Sequence, residues 1–212
     1  MPPHLDEAAV AEFSQVSSPE RMAAVALALE RNGIRALLAR SGEEARQIVA
    51  SLIPPDAEVF NNTSRTLEHT GIADDIERSG RYEPLRVRLF QMDREMQARE
   101  MRILGASPDY VIGSVHAVTE AGSLVVASAS GSQLGPIASG AEHVIFVIGG
   151  QKIVADLESA IRRIYQYSFP LEDRRAREAY GVPSGVNNIL IINDSVSPDR
   201  ITAVLVDEEL GF

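Results

Sequence analysis

Four polar residues follow the apolar stretch AEVF (57–60) and precede a helical stretch that begins near Thr66. Such a position favours anions, because the backbone N–H groups at the start of a helix lack partners within the helix. The segment therefore predicts a binding site for a phosphate or a carboxylate. The open alternative is that a hydroxyl caps the helix and the asparagines form a turn. The four residues are Asn61, Asn62, Thr63 and Ser64.

A second candidate site follows the apolar stretch DYVIG (109–113) and contains one carboxylate, Glu120, among small polar residues. This composition indicates a tight turn or the close approach of a ligand. Glu120 is a candidate catalytic nucleophile or general base. The open alternative is that it holds the loop by accepting hydrogen bonds from backbone amides. The neighbouring candidate ligand-binding residues are Gly113, Ser114, His116, Thr119, Gly122 and Ser123.

Lys152 is the only lysine of the chain and follows the apolar stretch HVIFVI (143–148) and two glycines. It could place a positive charge near a bound anion, and Schiff-base chemistry would have only this residue available. The alternative is an ordinary surface lysine. The chain has no cysteine, no metal-binding histidine spacing, and none of the GxGxxG, GxxxxGK[ST] or GxSxG motifs. We therefore expect neither a metal site nor a cofactor held by this chain.

The charge balance argues against nucleic acid as a partner, because a formal charge of −10 repels phosphates. The arginines at 162–163 and 174–177 are interleaved with acids, which is typical of a solvated helical face. No apolar run reaches the roughly 18 residues that a membrane-spanning helix needs. The first residues lack a signal-peptide pattern, and a cytoplasmic location is the expectation.

Strand-like and helix-like stretches alternate along most of the chain, which predicts an α/β fold with a mostly parallel sheet covered by helices on both faces. Residues 1–18 are interpreted as an N-terminal arm and 19–212 as a single domain. Only SVSPDR separates the last two strands, so an antiparallel pair at a C-terminal edge is expected. The predicted helices are 19–33, 41–54, 66–80, 82–105, 152–167 and 170–181, and the predicted strands are 34–39, 57–60, 109–113, 123–129, 143–149, 187–194 and 200–208.

Ligands of open α/β sheets bind beyond the carboxyl ends of the strands. Both candidate sites follow predicted strands, at Asn61–Ser64 and at Gly113–Ser114. We therefore expect the two segments to meet over one edge of the sheet. If the chain folds back after Ser114, Glu120 would join them there.

Four segments resemble the LUD (lactate utilisation domain) family. The most specific of the four is DYVIGSVHAVTEAGSLVV (109–126), which is similar to the family's threonine–glutamate–x–glycine–threonine/serine motif ahead of a strand. SRTLEHTGIA (64–73), HVIFVI (143–148) and RITAVLVDEELGF (200–212) are similar to further segments of the family. The resemblance covers residues 20–212. The loop GSQLGPIASG (131–140) lacks the arginine that relatives often carry there.

The resemblance implies a fold of the NagB/ribose-5-phosphate isomerase/CoA-transferase type. It also implies a role like that of the small, cysteine-free subunit of the bacterial lactate-oxidation system, in which iron–sulfur clusters belong to partner subunits. Three functions stay open. The chain could be an accessory subunit that binds a small organic anion beside iron–sulfur oxidoreductase subunits, a stand-alone enzyme of the CoA-transferase or sugar-phosphate isomerase type that uses Glu120, or a regulatory binding module without chemistry.

Overall fold

The computed structural model describes residues 3–212, which form nine α-helices and ten β-strands. The helices are α1 (Glu7–Phe13), α2 (Pro19–Arg31), α3 (Gly42–Leu52), α4 (Arg65–His69), α5 (Ile72–Arg78), α6 (Leu85–Gln91), α7 (Ala98–Ala106), α8 (Leu157–Arg163) and α9 (Phe169–Tyr180). The strands are β1 (Arg35–Ala39), β2 (Glu58–Asn61), β3 (Glu83–Pro84), β4 (Tyr110–Gly113), β5 (Ala117–Thr119), β6 (Leu124–Ser128), β7 (His143–Gly149), β8 (Ile153–Val154), β9 (Asn188–Ile192) and β10 (Ile201–Val206).

Six strands form the main sheet, which is parallel throughout and has the order β1-β10-β7-β4-β2-β3. The second sheet has the order β8-β5-β6-β9. In it β5 and β8 are parallel, whereas β6 runs antiparallel to both of its neighbours. The predicted α/β class with a mostly parallel sheet is confirmed.

Three apolar cores separate the layers, and neighbouring residues of one strand enter different cores because their side chains alternate between faces. Val111 of β4 packs with α2 and the second sheet, whereas Ile112 packs with α3, α4 and α5. On its far face the second sheet packs against α1 and α8, and Ala117 and Tyr167 are both buried in that core. The continuous apolar runs of the central strands thus reflect burial on both faces.

The last two strands do not pair with each other. The antiparallel edge is β9 against β6 in the second sheet, while β10 lies between β1 and β7 in the main sheet. All six residues of β10 are buried. Strands β1 and β7 pair with both edges of β10, and its alternate residues enter the apolar cores on the two faces of the sheet. The predicted pairing of 187–194 with 200–208 is therefore wrong, although an antiparallel edge exists.

The predicted helix over 82–105 is two helices, α6 and α7, with a turn between them. The Asp93 carboxylate causes this break, because it accepts hydrogen bonds from the backbone amides of Glu95 at 2.8 Å and Met96 at 2.9 Å. Aspartate competes in this way for amides that a continuous helix would use. Before α6, Glu83 and Pro84 form the short strand β3 beside β2.

The predicted helix over 152–167 begins later, at Leu157. Its cap is Asp156, whose carboxylate accepts from the Ser159 amide at 2.8 Å. Ile153 and Val154 have helical spacing to Leu157, but they form β8 and pair with β5. A π-helical turn, Ile164–Ser168, then joins α8 to α9.

Part of the segment predicted as an arm forms helix α1. Ala9 and Phe13 of this helix are buried in the core on the far face of the second sheet. Residues 1 and 2 lie outside the described part. No helix within residues 3–212 has both the length and the hydropathy that a membrane crossing requires.

Candidate functional site

Two neighbouring strands of the main sheet carry the chain into the second sheet at the same end. β4 continues through Ser114–His116 into β5, and β7 continues through Gly150–Lys152 into β8. Because β4 pairs with β7 and β5 pairs with β8, the two linking segments run side by side. This arrangement brings Lys152 to Ser114, 38 positions earlier in the sequence.

Lys152 is buried, with 2% of its surface exposed, and lines a cleft at this edge. Its Nζ donates hydrogen bonds to Thr66 Oγ1 and to Ser114 Oγ, both at 3.0 Å. Among residues 3–212 it forms no ion pair. Burial, followed by the charge of Arg163, holds the pKa of Lys152 well below its usual value. The interpretation as an ordinary surface lysine is therefore excluded.

Asn62 lies beyond the carboxyl end of β2 and is 5% exposed. Neither Oδ1 nor Nδ2 of its side chain has a hydrogen-bond partner among residues 3–212. Its position depends on Gly113, where an added Cβ would lie 2.6 Å from Asn62 Nδ2. Burying an amide without partners is unfavourable, so the Asn62 side chain is available to a polar ligand in the cleft that it lines.

His116 also lines the cleft and is held as a neutral imidazole. Its Nδ1 accepts a hydrogen bond from the Ala127 amide at 3.0 Å, which places the ring proton on Nε2. Burial lowers the pKa of His116 to about 3, and the positive charge of Arg163 acts in the same direction. Within residues 3–212, Nε2 makes no hydrogen bond. The ring can therefore donate one hydrogen bond to a ligand.

The cleft has a volume of about 370 Å³, which is within the range of small-molecule sites. Helix α9 and the loop after it form the opposite wall. There Arg175 makes a bidentate ion pair with Glu172, with both N–O distances 2.7 Å, and this contact raises the pKa of Arg175. Arg65 at the start of α4 also lines the cleft and is paired with Glu68 at 2.5 Å. The lining thus holds three basic side chains and one carboxylate.

A second groove, about 680 Å³, opens on the other side of Asn62 and Thr63. It is lined by apolar side chains together with arginines. Ser130 and Gln133 line both the cleft and the groove. A ligand in the cleft therefore has further space beside Asn62. The arginines and the main apolar residues of the groove are Arg86, Arg94, Arg102, Phe60, Leu89, Phe90 and Met101.

Glu120 does not line the cleft. It lies in the turn between β5 and β6, whereas Ser114 and His116 precede β5 at its other end. Four residues of extended chain separate Glu120 from His116, roughly 13 Å at the usual rise of a strand. The Glu120 carboxylate is exposed and pairs with Arg21 at 2.9 Å. The expectation that Glu120 joins the first site is corrected, because the hairpin carries it away.

Three other residues of this turn serve its geometry. The Thr119 hydroxyl accepts from the Ser123 amide at 3.0 Å, and Ser123 Oγ donates to Asn193 at 3.0 Å. Gly122 has a φ of +85° and lies against α2, with an added Cβ placed 2.9 Å from the Ala28 carbonyl carbon. The abundance of small residues here thus reflects a tight turn packed on a helix.

In the first predicted site, some side chains hold the local structure and others line the cleft. Ser64 caps α4 by accepting from the Leu67 amide at 3.4 Å, as the structural alternative predicts. Asn61 Nδ2 donates to Glu77 at 2.7 Å and does not line the cleft. Asn62, Thr63 and Ser64 do line it. The structure therefore brings these three together with Ser114, His116 and Lys152.

Sequence reasoning missed three residues of the site: Thr66, Arg163 and Arg175. Arg163 is completely buried and donates to the His116 carbonyl oxygen, although 162–163 and 174–177 are predicted to be a solvated face. Helical spacing could have identified it, because Arg163 lies three residues after Ala160 and four before Tyr167, both buried. No sequence signal separates Arg175 from its exposed neighbours.

Comparison with known proteins identifies the family. A family model of the LUD domain matches residues 22–206, most of the chain. The chain belongs to the LUD-domain family. This LUD domain is similar in fold to a DUF162 family protein from Deinococcus radiodurans, known from a crystal structure, with a TM-score of 0.56 over 91% of this chain and 99% of that one. Their sequences are 12% identical, so the likeness concerns the fold. No curated protein matches the sequence.

Proposed function

We propose that the cleft binds the carboxylate of a small 2-hydroxy or 2-oxo acid, in the lactate-related metabolism of the LUD family. The observation that carries this proposal is the environment of Lys152, a buried amine without an anionic partner among residues 3–212. Burial favours the neutral form of this amine in the free protein, and a bound anion would favour its charged form. A carboxylate in the cleft would supply that anion.

The other available groups fit the rest of such a molecule. The Asn62 amide offers both a donor and an acceptor, which suits a carboxylate oxygen and a neighbouring hydroxyl. The neutral His116 ring offers a donor to a hydroxyl or carbonyl oxygen. Arg65 and Arg175 also line the cleft, paired with Glu68 and Glu172, and each guanidinium has further N–H groups that could donate to an anion.

Isothermal titration calorimetry with lactate, pyruvate and the neutral analogue lactamide tests this proposal. We expect the two acids to bind and lactamide to bind at least about tenfold more weakly, a difference of about 1.4 kcal/mol. Lys152→Met preserves the length of the side chain and should remove binding. Arg99→Met removes a positive charge from the exposed surface and is the matched control.

Two results would contradict the proposal: no heat of binding with either acid, or equal affinity in the wild-type protein and in Lys152→Met. Circular dichroism of each variant establishes that it is folded. Because the cleft exceeds the size of a three-carbon acid, 2-oxobutyrate and phenylpyruvate belong in the ligand series. Their affinities relative to pyruvate would reveal how much of the cleft and the groove a substituent fills.

We further propose that the protein acts beside iron–sulfur oxidoreductase subunits as an accessory protein. Family membership supports this role, and the chain has no cysteine, so clusters with cysteine ligands would belong to the partner. Co-expression with a lactate-oxidising iron–sulfur protein of the same organism, followed by gel filtration, tests it. We expect one complex that contains iron; separate elution of the two proteins would contradict the role.

A further inference from the structure

The hydrogen bonds of Lys152 are those of a neutral amine. Thr66 Oγ1 donates its own proton to the Leu210 carbonyl oxygen at 3.0 Å, so it accepts from Nζ. Ser114 Oγ accepts the second hydrogen at 3.0 Å. A neutral amine has two hydrogens, and these two bonds use both of them. The nitrogen lone pair is then free, whereas the third hydrogen of an ammonium group would have no partner among residues 3–212.

We propose that Lys152 is an amine nucleophile that condenses with the keto group of a 2-oxo acid in the cleft to form an imine. The Nζ lone pair attacks the C2 carbon, and the two hydrogens of the amine pass in turn to the carbonyl oxygen. The C2–O bond then breaks and water leaves, so that the ketone and the amine give an imine and one water without oxidation or reduction. Burial lowers the pKa of Lys152, which favours the unprotonated, nucleophilic amine.

The neighbouring groups suit this reaction and its product. The Nε2–H of His116 can donate a hydrogen bond to the oxygen that leaves, since a neutral imidazole can polarise a carbonyl group. The Asn62 amide is available to the carboxylate of the same molecule. Once formed, a protonated imine would lie beside that carboxylate, and the two charges would compensate each other in the buried site.

This inference rests on the proposed function, because the oxo acid must first bind in the cleft, but it adds a distinction between ligand classes. A 2-hydroxy acid has no carbonyl carbon and can only bind reversibly. A 2-oxo acid can bind and also become covalently attached. The distinction makes the two ideas separable by experiment.

Reductive trapping tests the inference. The full chain is incubated with pyruvate and sodium cyanoborohydride, digested, and analysed by mass spectrometry. We expect a stable adduct, with the mass of pyruvate less one oxygen atom, on the peptide that contains Lys152. Lactate should give no adduct and should reduce trapping by pyruvate when it is added in excess. Because Lys152 is the only lysine, the N-terminal amine is the one other primary or secondary amine to map.

The control is Arg99→Lys, which adds an exposed lysine to the same molecule. We expect position 152 to react at least about tenfold faster than position 99, as an activated lysine should. Calorimetric binding of pyruvate without an adduct at Lys152, or an adduct no faster than at position 99, would overturn the inference and leave the proposed function standing. Absence of both binding and adduct would refute both.

Discussion

The strongest quantitative prediction concerns the acid stability of the protein and depends on His116. In the folded protein the pKa of this ring is lowered to about 3 from its ordinary 6.5, because burial disfavours the charged ring and the positive charge of Arg163 repels it. Below pH 6.5 the unfolded chain therefore binds a proton that the folded chain does not. Stability contributed by the neutral ring is present above pH 6.5 and is lost as the pH falls toward 3.

The size of this effect follows from the two pKa values. At pH 4 the unfolded ring is almost fully protonated and the folded ring is almost fully neutral. Because pH 4 lies about 2.5 units below the pKa of the unfolded ring, the free energy of unfolding is lower by about 3 kcal/mol than at pH 8. The substitution His116→Asn removes the titration and keeps an acceptor, Oδ1, for the Ala127 amide.

The assay is urea denaturation of both proteins, followed by circular dichroism, at pH 4, 6, 7 and 8. The series omits pH 5, close to the isoelectric point of about 4.9, where solubility is lowest. Other titrating groups affect both proteins alike. The free energy of unfolding of the wild type minus that of the variant therefore gives the contribution of His116. We expect this difference to fall by about 3 kcal/mol from pH 8 to pH 4. A change below about 1 kcal/mol would refute the assigned burial and tautomer of the ring.

Two further predictions concern the candidate residues. Glu120→Gln removes an exposed ion pair with Arg21, so we expect the free energy of unfolding to fall by less than about 1 kcal/mol. Calorimetry should show unchanged affinity for lactate and pyruvate. Loss of binding would mean that Glu120 contacts the ligand. Gly113→Ala places a Cβ 2.6 Å from Asn62 Nδ2 and must displace that side chain. We expect affinity for both acids to fall about tenfold, with a modest loss of stability; unchanged affinity would mean that Asn62 does not contact the ligand.

Much of the fold could be predicted because local signals and tertiary packing agree. The helices predicted over 19–33 and 41–54 are close to α2 and α3, because Ser18 caps α2 and Ser41 caps α3 by accepting from the Glu44 amide. The apolar runs of β6, β7 and β10 identify strands buried on both faces. Prediction failed where a side chain or a neighbouring strand overrides a local pattern. Asp93 interrupts a helical stretch, and pairing with β5 makes Ile153–Val154 extended.

The candidate site shows the same division more sharply. The sequence by itself determined that the chain is an α/β protein, that polar residues follow β2 and β4, and that a single lysine follows β7. Only the tertiary structure decided which of these groups share a cleft. Parallel pairing of β4 with β7 and of β5 with β8 places Lys152 Nζ 3.0 Å from Ser114 Oγ. Glu120, by contrast, lies in the turn at the opposite end of β5. Strand pairing joins segments that lie far apart along the chain, and no local pattern encodes it. The pairing therefore decides that Lys152 is buried and that Glu120 is exposed to solvent.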